Sequence, residues 1–426
     1  MKNYLLKFIK SGIGVGLSAV FGLLLLRSIS KEQGPAGLAT FGIYRQFLQF
    51  CAVFLTWGNG FSIIESFSKA KDKEHFTSNT FKYVLGITFL LGLTILSLSY
   101  PITLGLFDTS ENWDLIALAP LIFIGMAYHG FFRFILTAKQ HLITSSILQA
   151  SPFVFMFFYY FLTKNLFNFF FLAYLSSALL AFIFWKITSP QKFLIIKEGS
   201  RIRDFEKTSI ATIITGAVGF LSPLIVKSIS VRYLGLAMTG IIEAEYSLVS
   251  YLTLAIIAGL GTFYLGMVST NPHDQVFRER IFIFLIPFTT AILSILVCFD
   301  QFFISLLFGQ VFLRFSPSLD IFALGEMLRC INWFLIFSMI GLGYRKSYIV
   351  SDLISNAVYI LASGLIVSIW PLKVSIEYSY LLFQAIYLML NLRFCLKVKV
   401  VQSKLAIGLT ALSIVSMTTV ILIKDL

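Results

Sequence analysis

Long apolar runs alternate with short polar segments along almost the whole chain. A helix needs about 20 apolar residues to cross the hydrocarbon core of a bilayer, and runs of that length predict twelve membrane helices. They are expected near residues 8–29, 37–65, 79–100, 114–137, 142–163, 168–187, 208–229, 236–267, 280–299, 316–342, 347–369 and 376–396. Residues 405–423 form a further uncharged apolar run, which predicts a thirteenth helix.

The composition supports an all-α polytopic protein of the inner-membrane type. Hydrophobic residues make up 58% of the chain and charged residues 12%, whereas a soluble domain carries about 25% charged residues. The net charge of +13 is therefore expected to come from cytoplasmic loops rather than from a nucleic-acid-binding surface. The phenylalanine-rich run 153–171 is expected to face lipid.

The distribution of lysine and arginine residues between the two sides of the membrane tests the predicted helix layout, because cytoplasmic loops carry an excess of both. With the amino-terminal end in the cytoplasm, the cytoplasmic loops and adjoining helix ends hold 23 of the 33 Lys and Arg residues. The opposite side holds seven, which are Arg27, Lys31, Lys164, Arg232, Arg314, Lys373 and Lys424. Three more, Arg45, Lys227 and Arg329, are predicted at membrane depth.

A short motif occurs twice and indicates an internal duplication. In both copies a cation precedes Ser-Ile-Ser, and Gly-Leu-Ala-x-x-Gly-Ile follows from Gly37 or Gly235. A chance match in so biased a composition is the alternative. Six helices separate the copies, so both halves enter the membrane in the same direction, as in transporters built from parallel repeats related by a pseudo-two-fold axis. The predicted domains are a six-helix lobe 1–187, a cytoplasmic linker 188–207, a six-helix lobe 208–396, and a basic loop with the extra helix 397–426.

Charged residues within the predicted helices are candidate functional residues, because a charge at the bilayer centre costs about 2.5–3.5 kcal/mol on insertion scales. Counted from Gly37 and Gly235, Arg45 and Glu243 occupy the same position, about eight residues into a second helix. We hypothesise that they form a closing contact on the outer side. The alternative is that each pairs within its own half. If the contact forms, reversal of both charges should rescue the defects of the single reversals, and failure to do so would exclude it.

Two further groups of charges have both a structural and a functional interpretation. Arg27 and Lys227 are expected at the outer ends of the first and seventh helices, where they either extend to the headgroups or line a cavity mouth. Glu326 and Arg329 share a helix face, so they form either an intrahelical ion pair or a site for an anionic ligand and a coupling ion. Asp352 is another candidate coupling carboxylate. Glu245, Asp320 and Glu65 are weaker candidates.

Enzymatic and cofactor sites are not indicated. The four cysteines and four histidines show no spacing typical of metal ligands or disulfides, and Gly12-Ile-Gly-Val-Gly16 lacks the strand and Lys-Ser/Thr of a nucleotide loop. No outer loop is predicted to exceed about fifteen residues. We therefore expect no catalytic residue, no metal and no cofactor, and we expect that the protein is not an enzyme.

Two segments resemble a known family. Gly34-Pro35-Ala36-Gly37-Leu38 followed by Tyr44-Arg45-Gln46 resembles the segment after the first helix of Wzx-type O-antigen and enterobacterial-common-antigen flippases. Gly325-Glu326 with Arg329 resembles an element of their tenth helix. The spacing of the twelve helices agrees, so the resemblance covers residues 1–396. These flippases belong to the multidrug/oligosaccharidyl-lipid/polysaccharide exporter superfamily.

The resemblance implies a flippase in the bacterial inner membrane. The implied substrate is an undecaprenyl-diphosphate-linked oligosaccharide, which moves from the cytoplasmic to the periplasmic leaflet by alternating access, driven by an ion gradient. Arg45, Arg329, Lys227 and Arg27 would contact the substrate, and Glu326, Glu243 and Asp352 would serve as coupling or gate carboxylates. The implied partners are this substrate, membrane lipid, and polymerase and chain-length proteins of the same pathway.

Two other functions remain compatible with the sequence. A multidrug exporter of the same superfamily would favour an acidic cavity for cationic drugs, whereas deeply placed basic residues here match or outnumber the acids. A membrane glycan polymerase would need a large outer loop or a soluble domain, and neither is predicted.

Overall fold

The computed structural model describes residues 2–188, 203–313 and 319–424, apart from residues 57, 59, 71, 140, 399, 401 and 402. This part of the chain is helical and contains no strand. Eleven helices are long and apolar enough to cross a membrane. The first of them, Ile13–Leu55, is two helices separated by a break at Gly34. The expected all-α polytopic fold with twelve core helices is therefore confirmed, and the protein is an integral membrane protein.

We number the long helices in chain order. They are α1 (2–33), α2 (35–55), α3 (Lys73–Ser97), α4 (Trp113–Ala138), α5 (Leu142–Thr163), α6 (Leu166–Thr188), α7 (Arg203–Leu234), α8 (Leu236–Gly259), α9 (Gln275–Cys298), α10 (Leu319–Gly341), α11 (Arg345–Ile369), α12 (Lys373–Lys397) and α13 (Ser403–Lys424). Short helices between them are Phe61–Lys69, Ser99–Phe107, Leu265–Thr270, Asp300–Leu307 and Gln310–Leu313, and Leu260–Tyr264 is a π-helical turn.

Two predicted helices end earlier than their apolar runs. The run 37–65 breaks after Leu55, because Gly58 and Gly60 have φ angles of 74° and 78°, values that glycine adopts without steric cost. The chain then continues as the separate short helix Phe61–Lys69. The run 236–267 changes to a π-helical turn at Leu260–Tyr264. Hydropathy alone does not detect such breaks, because the residues on both sides are equally apolar.

Each copy of the repeated motif contains a turn at a glycine. In the first copy this glycine is Gly34 and not Gly37, which the sequence alignment pairs with Gly235. Gly34 (φ 67°, ψ −164°) separates α1 from α2, and Gly235 (φ 83°, ψ 164°) separates α7 from α8. The first turn lies three residues before Gly37 because Pro35 is favourable as a first helical residue and disfavours helical backbone in the residue before it. Arg45 therefore lies eleven residues beyond its turn, whereas Glu243 lies eight beyond its own. The expectation of about eight residues into a second helix therefore holds for Glu243 but not for Arg45.

The chain divides into two compact units. The N-unit comprises Ile13–Leu25 and Thr40–Ser228, and the C-unit comprises Met1–Gly12, Leu26–Ala39 and Ile229–Leu426. Residues 189–202, which form most of the predicted linker 188–207, lie outside the described residues.

The core of the N-unit is strongly aromatic. Phe169 and Phe170 are almost completely buried and stack on Phe41 of α2, with ring centroids 6.2 Å and 5.6 Å from it. Tyr160 of α5 packs edge-on against Phe169 at 5.6 Å. The expectation that the whole run 153–171 faces lipid is therefore wrong, because one side of each helix packs inside the unit.

In the C-unit, α13 packs along α9 and α10. Its Lys424 forms ion pairs with Asp300 and Asp320, with N–O distances of 2.5 Å and 2.9 Å. Because Asp320 is in the first turn of α10, the carboxyl end of α13 lies beside the amino end of α10. The two copies of the motif also meet in this unit, since a Cβ on Gly240 would lie 1.8 Å from the Pro35 carbonyl oxygen.

Candidate functional site

The predicted site residues are distributed over both units. Arg45 and Lys227 belong to the N-unit. The C-unit contains the others, which are Arg27, Glu243, Glu326, Arg329 and Asp352. We describe the two sets separately.

An ion pair lies at the centre of the C-unit. On α10, Arg329 Nη1 lies 2.8 Å from Glu326 Oε1, as the spacing of three residues predicted. The Tyr380 hydroxyl of α12 donates to the same oxygen at 2.5 Å, and the Thr253 hydroxyl of α8 donates to Oε2. Helices α8, α10 and α12 therefore converge on one carboxylate.

The two partners of this ion pair differ in accessibility. Glu326 is fully buried, and the Arg329 side chain is 22% exposed. Tyr246 packs beside the pair, with its ring centroid 5.5 Å from that of Tyr380. Both oxygens of Glu326 are occupied by donors, so its charge is balanced within the protein. The Arg329 side chain therefore keeps some exposed surface, whereas Glu326 has none.

Asp352 differs from Glu326 in that only one of its two carboxylate oxygens accepts hydrogen bonds. Its Oδ1 accepts hydrogen bonds from the Tyr387 hydroxyl at 3.0 Å and from Asn356 Nδ2 at 3.2 Å. Its Oδ2 is buried and has no hydrogen-bond partner among the described residues. A buried carboxylate oxygen without a donor is unfavourable unless a proton or cation neutralises it.

A series of hydrogen bonds between polar side chains begins at Ser351, next to Asp352, and continues through the C-unit. Ser351 donates to Asn391 at 3.0 Å, Asn391 donates to Asn332 at 3.2 Å, and Asn332 donates to the Gln384 side chain at 3.2 Å. All four are buried. The network joins α10, α11 and α12 and orients the helix that carries Asp352.

A second ion-pair cluster was not predicted. Lys373 Nζ lies 2.7 Å from Glu245 Oε1 and 3.4 Å from Glu377 Oε1, and all three residues are buried. The sequence placed Lys373 among the cations of the outer side and ranked Glu245 as a weaker candidate. The available signal was the i, i+4 spacing of Lys373 and Glu377, which puts them on one face of α12.

The remaining predicted residues are Glu243, Lys227 and Arg27. Ser247 donates to Glu243 Oε1 at 3.2 Å. Lys227 Nζ donates to the Gly42 carbonyl of α2 at 3.3 Å, and Arg27 is half-buried in α1. The expected position of Lys227 and Arg27 at helix ends is wrong, because α7 continues to Leu234 and α1 to residue 33.

In the N-unit, two arginines lie over aromatic rings. The Arg45 guanidinium of α2 lies over the Phe41 ring, 5.4 Å from its centroid. The Arg133 guanidinium of α4 lies over the Phe134 ring, 4.4 Å from its centroid. Sequence reasoning missed Arg133, because its position five residues before the end of α4 was assigned to the cytoplasmic helix end.

The two units differ in the charges that they bury. Described carboxylates of the C-unit that are buried are Glu243, Glu245, Asp300, Asp320, Glu326, Asp352 and Glu377. Within the membrane helices of the N-unit, the only acidic residues of the described sequence are Glu74 and Asp114 in first turns of α3 and α4, and Asp204 and Glu206 in the first turn of α7. Among the described residues no group of three or more His, Cys, Asp and Glu side chains is arranged to hold a metal ion.

Several solved transporters have a fold similar to that of this chain. The lipid II flippase MurJ in an inward closed conformation matches with a TM-score of 0.71 at 14% sequence identity, covering 98% of both chains. An inward-facing multidrug resistance MATE family transporter of the MOP superfamily matches with a TM-score of 0.69 at 13% identity, covering 95% of both chains. An outward-facing MATE family transporter matches at 0.61 and 12% identity, covering 98% of this chain and 96% of the other. At these identities the likeness establishes the fold, which is that of MOP-superfamily transporters.

No family model matches the sequence. No curated protein matches it either.

Proposed function

We propose that this chain, which has the fold of MOP-superfamily transporters, is a flippase for an undecaprenyl-diphosphate-linked oligosaccharide. It would move an O-antigen or related repeat unit from the cytoplasmic to the periplasmic leaflet of the bacterial inner membrane. The fold supports a transporter, and the motifs around Arg45 and Glu326 support the Wzx-type assignment. We do not expect enzymatic activity.

The observation that carries the proposal is the charge of the N-unit interior. Arg45, Arg133 and Lys227 lie well inside their helices, whereas the acids of the described long helices of the N-unit lie in first turns and Glu65 lies in the short helix Phe61–Lys69. A diphosphate cannot enter hydrocarbon without replacement of its hydration, and guanidinium groups are suited to bind it. A cationic drug would instead be repelled. The observation therefore favours an anionic substrate over the multidrug alternative.

In the proposed mechanism, cationic side chains replace the water around the diphosphate during transfer. Arg45, Lys227, Arg27 and the accessible part of Arg329 would contact the diphosphate or acidic sugars. The polyprenyl tail would remain in lipid while the head group crosses. The lobes 1–187 and 208–396 would alternate between inward and outward access.

Asp352 would be better placed than Glu326 to act as a coupling carboxylate. Its Oδ2 has no donor among the described residues, whereas both oxygens of Glu326 accept hydrogen bonds. A proton or a cation can therefore bind at Asp352 without displacing a donor. Glu243, whose Oε1 accepts a hydrogen bond from Ser247, is the remaining candidate carboxylate.

Analysis of lipid-linked sugars in a strain that lacks the gene tests this function. We expect complete, unpolymerised repeat units to accumulate in the cytoplasmic leaflet, and expression of the intact chain to reverse the accumulation. Accumulation in the periplasmic leaflet would instead indicate a polymerase. Normal sugar-lipid pools with altered drug tolerance would indicate a multidrug exporter and contradict the proposal.

A further inference from the structure

Two buried carboxylates of the C-unit each accept a hydrogen bond from a tyrosine of the same helix. The Tyr380 hydroxyl of α12 donates to Glu326 Oε1 at 2.5 Å. Seven residues further along α12, the Tyr387 hydroxyl donates to Asp352 Oδ1 at 3.0 Å. Residues seven apart lie on the same face of a helix, about 10.5 Å from each other along its axis. One face of α12 therefore contacts both the ion pair of α10 and the carboxylate of α11.

Phe383 lies between the two tyrosines on this face. Its ring centroid is 6.1 Å from that of Tyr380 and 5.9 Å from that of Tyr387. Tyr359 of α11 stacks on Phe383 with centroids 4.9 Å apart, and its centroid lies 6.0 Å from that of Tyr380. These separations are typical of aromatic rings in contact. The four rings, which we call the aromatic series, therefore connect the surroundings of the two carboxylates.

The aromatic series is closely packed, so its rings have little room to move separately. The side chains of Tyr359, Tyr380 and Tyr387 are buried. Tyr246 of α8 and Phe322 of α10 pack on Tyr380, with centroids 5.5 Å and 5.7 Å from its own. Protein interiors contain few voids, so a buried ring moves only if the rings beside it move as well. A displacement of Tyr387 therefore also displaces its neighbours in the series.

The backbones of α10 and α12 are held together independently of these rings. Asn332 Nδ2 of α10 donates to the Gln384 carbonyl of α12 at 3.1 Å and to Gln384 Oε1 at 3.2 Å, and both residues are buried. A movement of the whole of α12 along α10 would break these bonds, whereas a movement of the rings alone would not. The side chains of the aromatic series are therefore the part of α12 that can respond to a change at Asp352.

An ion bound at Asp352 would change how firmly Tyr387 is held. A hydrogen bond to a charged carboxylate is roughly twice as strong as one between neutral groups. An ion at Oδ2, which has no hydrogen-bond partner among the described residues, would neutralise the carboxylate and weaken the bond from Tyr387. At the other end of the series, the Tyr380 hydroxyl and Arg329 Nη1 share Glu326 Oε1. Loss of the tyrosine bond would leave this oxygen more firmly paired with the arginine.

We propose that the aromatic series makes anion binding at Arg329 depend on ion binding at Asp352, with Phe383 as the positioning residue between them. When the aspartate is charged, Tyr380 shares Glu326 with Arg329, which is then available to the anion. When an ion neutralises the aspartate, the series relaxes and the glutamate retains the arginine. The two ligands therefore oppose each other, each by the same factor. The roles of the anion and the ion rest on the proposed function, whereas the link between the two carboxylates rests on the rings.

Binding of undecaprenyl diphosphate to the purified full-length protein in nanodiscs tests the dependence. Asp352→Asn mimics the neutral state, and we expect it to weaken binding by about fivefold or more. In a Phe383→Leu background, which lacks one ring of the series, the same change should alter binding by less than about twofold. Phe383→Tyr keeps the ring and should retain the dependence. Phe394→Leu is the matched control, because Phe394 is a half-buried phenylalanine of α12 that packs on Tyr344 outside the series.

A second measurement, chemical denaturation, needs no ligand. The combined effect of Asp352→Asn and Tyr380→Phe on stability should differ from the sum of their separate effects, by about threefold or more in the unfolding equilibrium constant. The difference should disappear when Phe383→Leu is present in all variants and persist with Phe394→Leu. Additive effects in the otherwise intact protein would overturn the link between the two carboxylates.

The two measurements separate this inference from the proposed function. If the intact protein does not bind undecaprenyl diphosphate, the function is wrong, and denaturation alone decides whether the link exists. If the protein binds it and Asp352→Asn weakens binding equally with and without Phe383→Leu, the function stands and the role of Phe383 is wrong. Coupled stabilities without coupled binding would show that the aromatic series only supports packing, which would also overturn the inference.

Discussion

Replacement of Arg329 by methionine is expected to lower the free energy of unfolding by about 3–5 kcal/mol, because it leaves a buried charge without its partner. The charge is that of Glu326, which is fully buried and paired with Arg329 at 2.8 Å. Chemical denaturation in detergent micelles measures the change. Arg232→Met is the matched control, because Arg232 is exposed at the end of α7, and it should change stability little.

A double variant separates the structural role of Arg329 from its proposed contact with substrate. Glu326→Gln combined with Arg329→Met removes both charges and should recover most of the lost stability, since an ion pair can be replaced by neutral groups at little cost. Transport should remain at least tenfold slower in the double variant if Arg329 binds the diphosphate. Recovery of full transport would show that Arg329 serves only to neutralise Glu326.

Replacement of Lys373 by methionine is the other change with a large expected effect. It leaves the buried carboxylates of Glu245 and Glu377 without the cation that lies 2.7 Å and 3.4 Å away. We expect a loss of about 3–5 kcal/mol in the free energy of unfolding at neutral pH. The loss should shrink as the pH falls, because a protonated carboxyl group is less costly to bury than a carboxylate.

Denaturation at several pH values, with Lys346→Met as the control, checks this prediction. Lys346 is exposed near the start of α11, so its replacement should have little effect at any pH. Equal stability of the two variants at neutral pH would show that the cluster around Lys373 contributes nothing. A deficit that does not depend on pH would point to lost packing of the lysine stem rather than to the carboxylates.

Candidate residues were predictable from sequence to different degrees. The ion pair of Glu326 and Arg329 follows from a spacing of three residues on one helix, and such pairs depend only on local geometry. The contacts of Thr253 and Tyr380 with Glu326 join residues 73 and 54 positions away along the chain. No local pattern contains that information, because helix packing brings these residues together.

The position of the Arg133 side chain could not be predicted from sequence for a different reason. Its distance from the helix end is compatible with a side chain that extends to the headgroups, which is a common arrangement. Only the folded structure shows that Arg133 is half-buried in the N-unit, with its guanidinium over the Phe134 ring. Depth along a helix follows from sequence, but the direction of a side chain around the helix axis depends on what packs against it.

The sequence by itself determined the all-helical membrane fold and the number of long helices. These features follow from the length of apolar runs, which is a local property of the chain. The tertiary structure decided which buried charges are paired, as at Glu326 and Lys373, and which cation lacks a carboxylate partner in the described chain, as at Arg133. Charge pairing depends on distances across helices, and those distances exist only once the helices have packed.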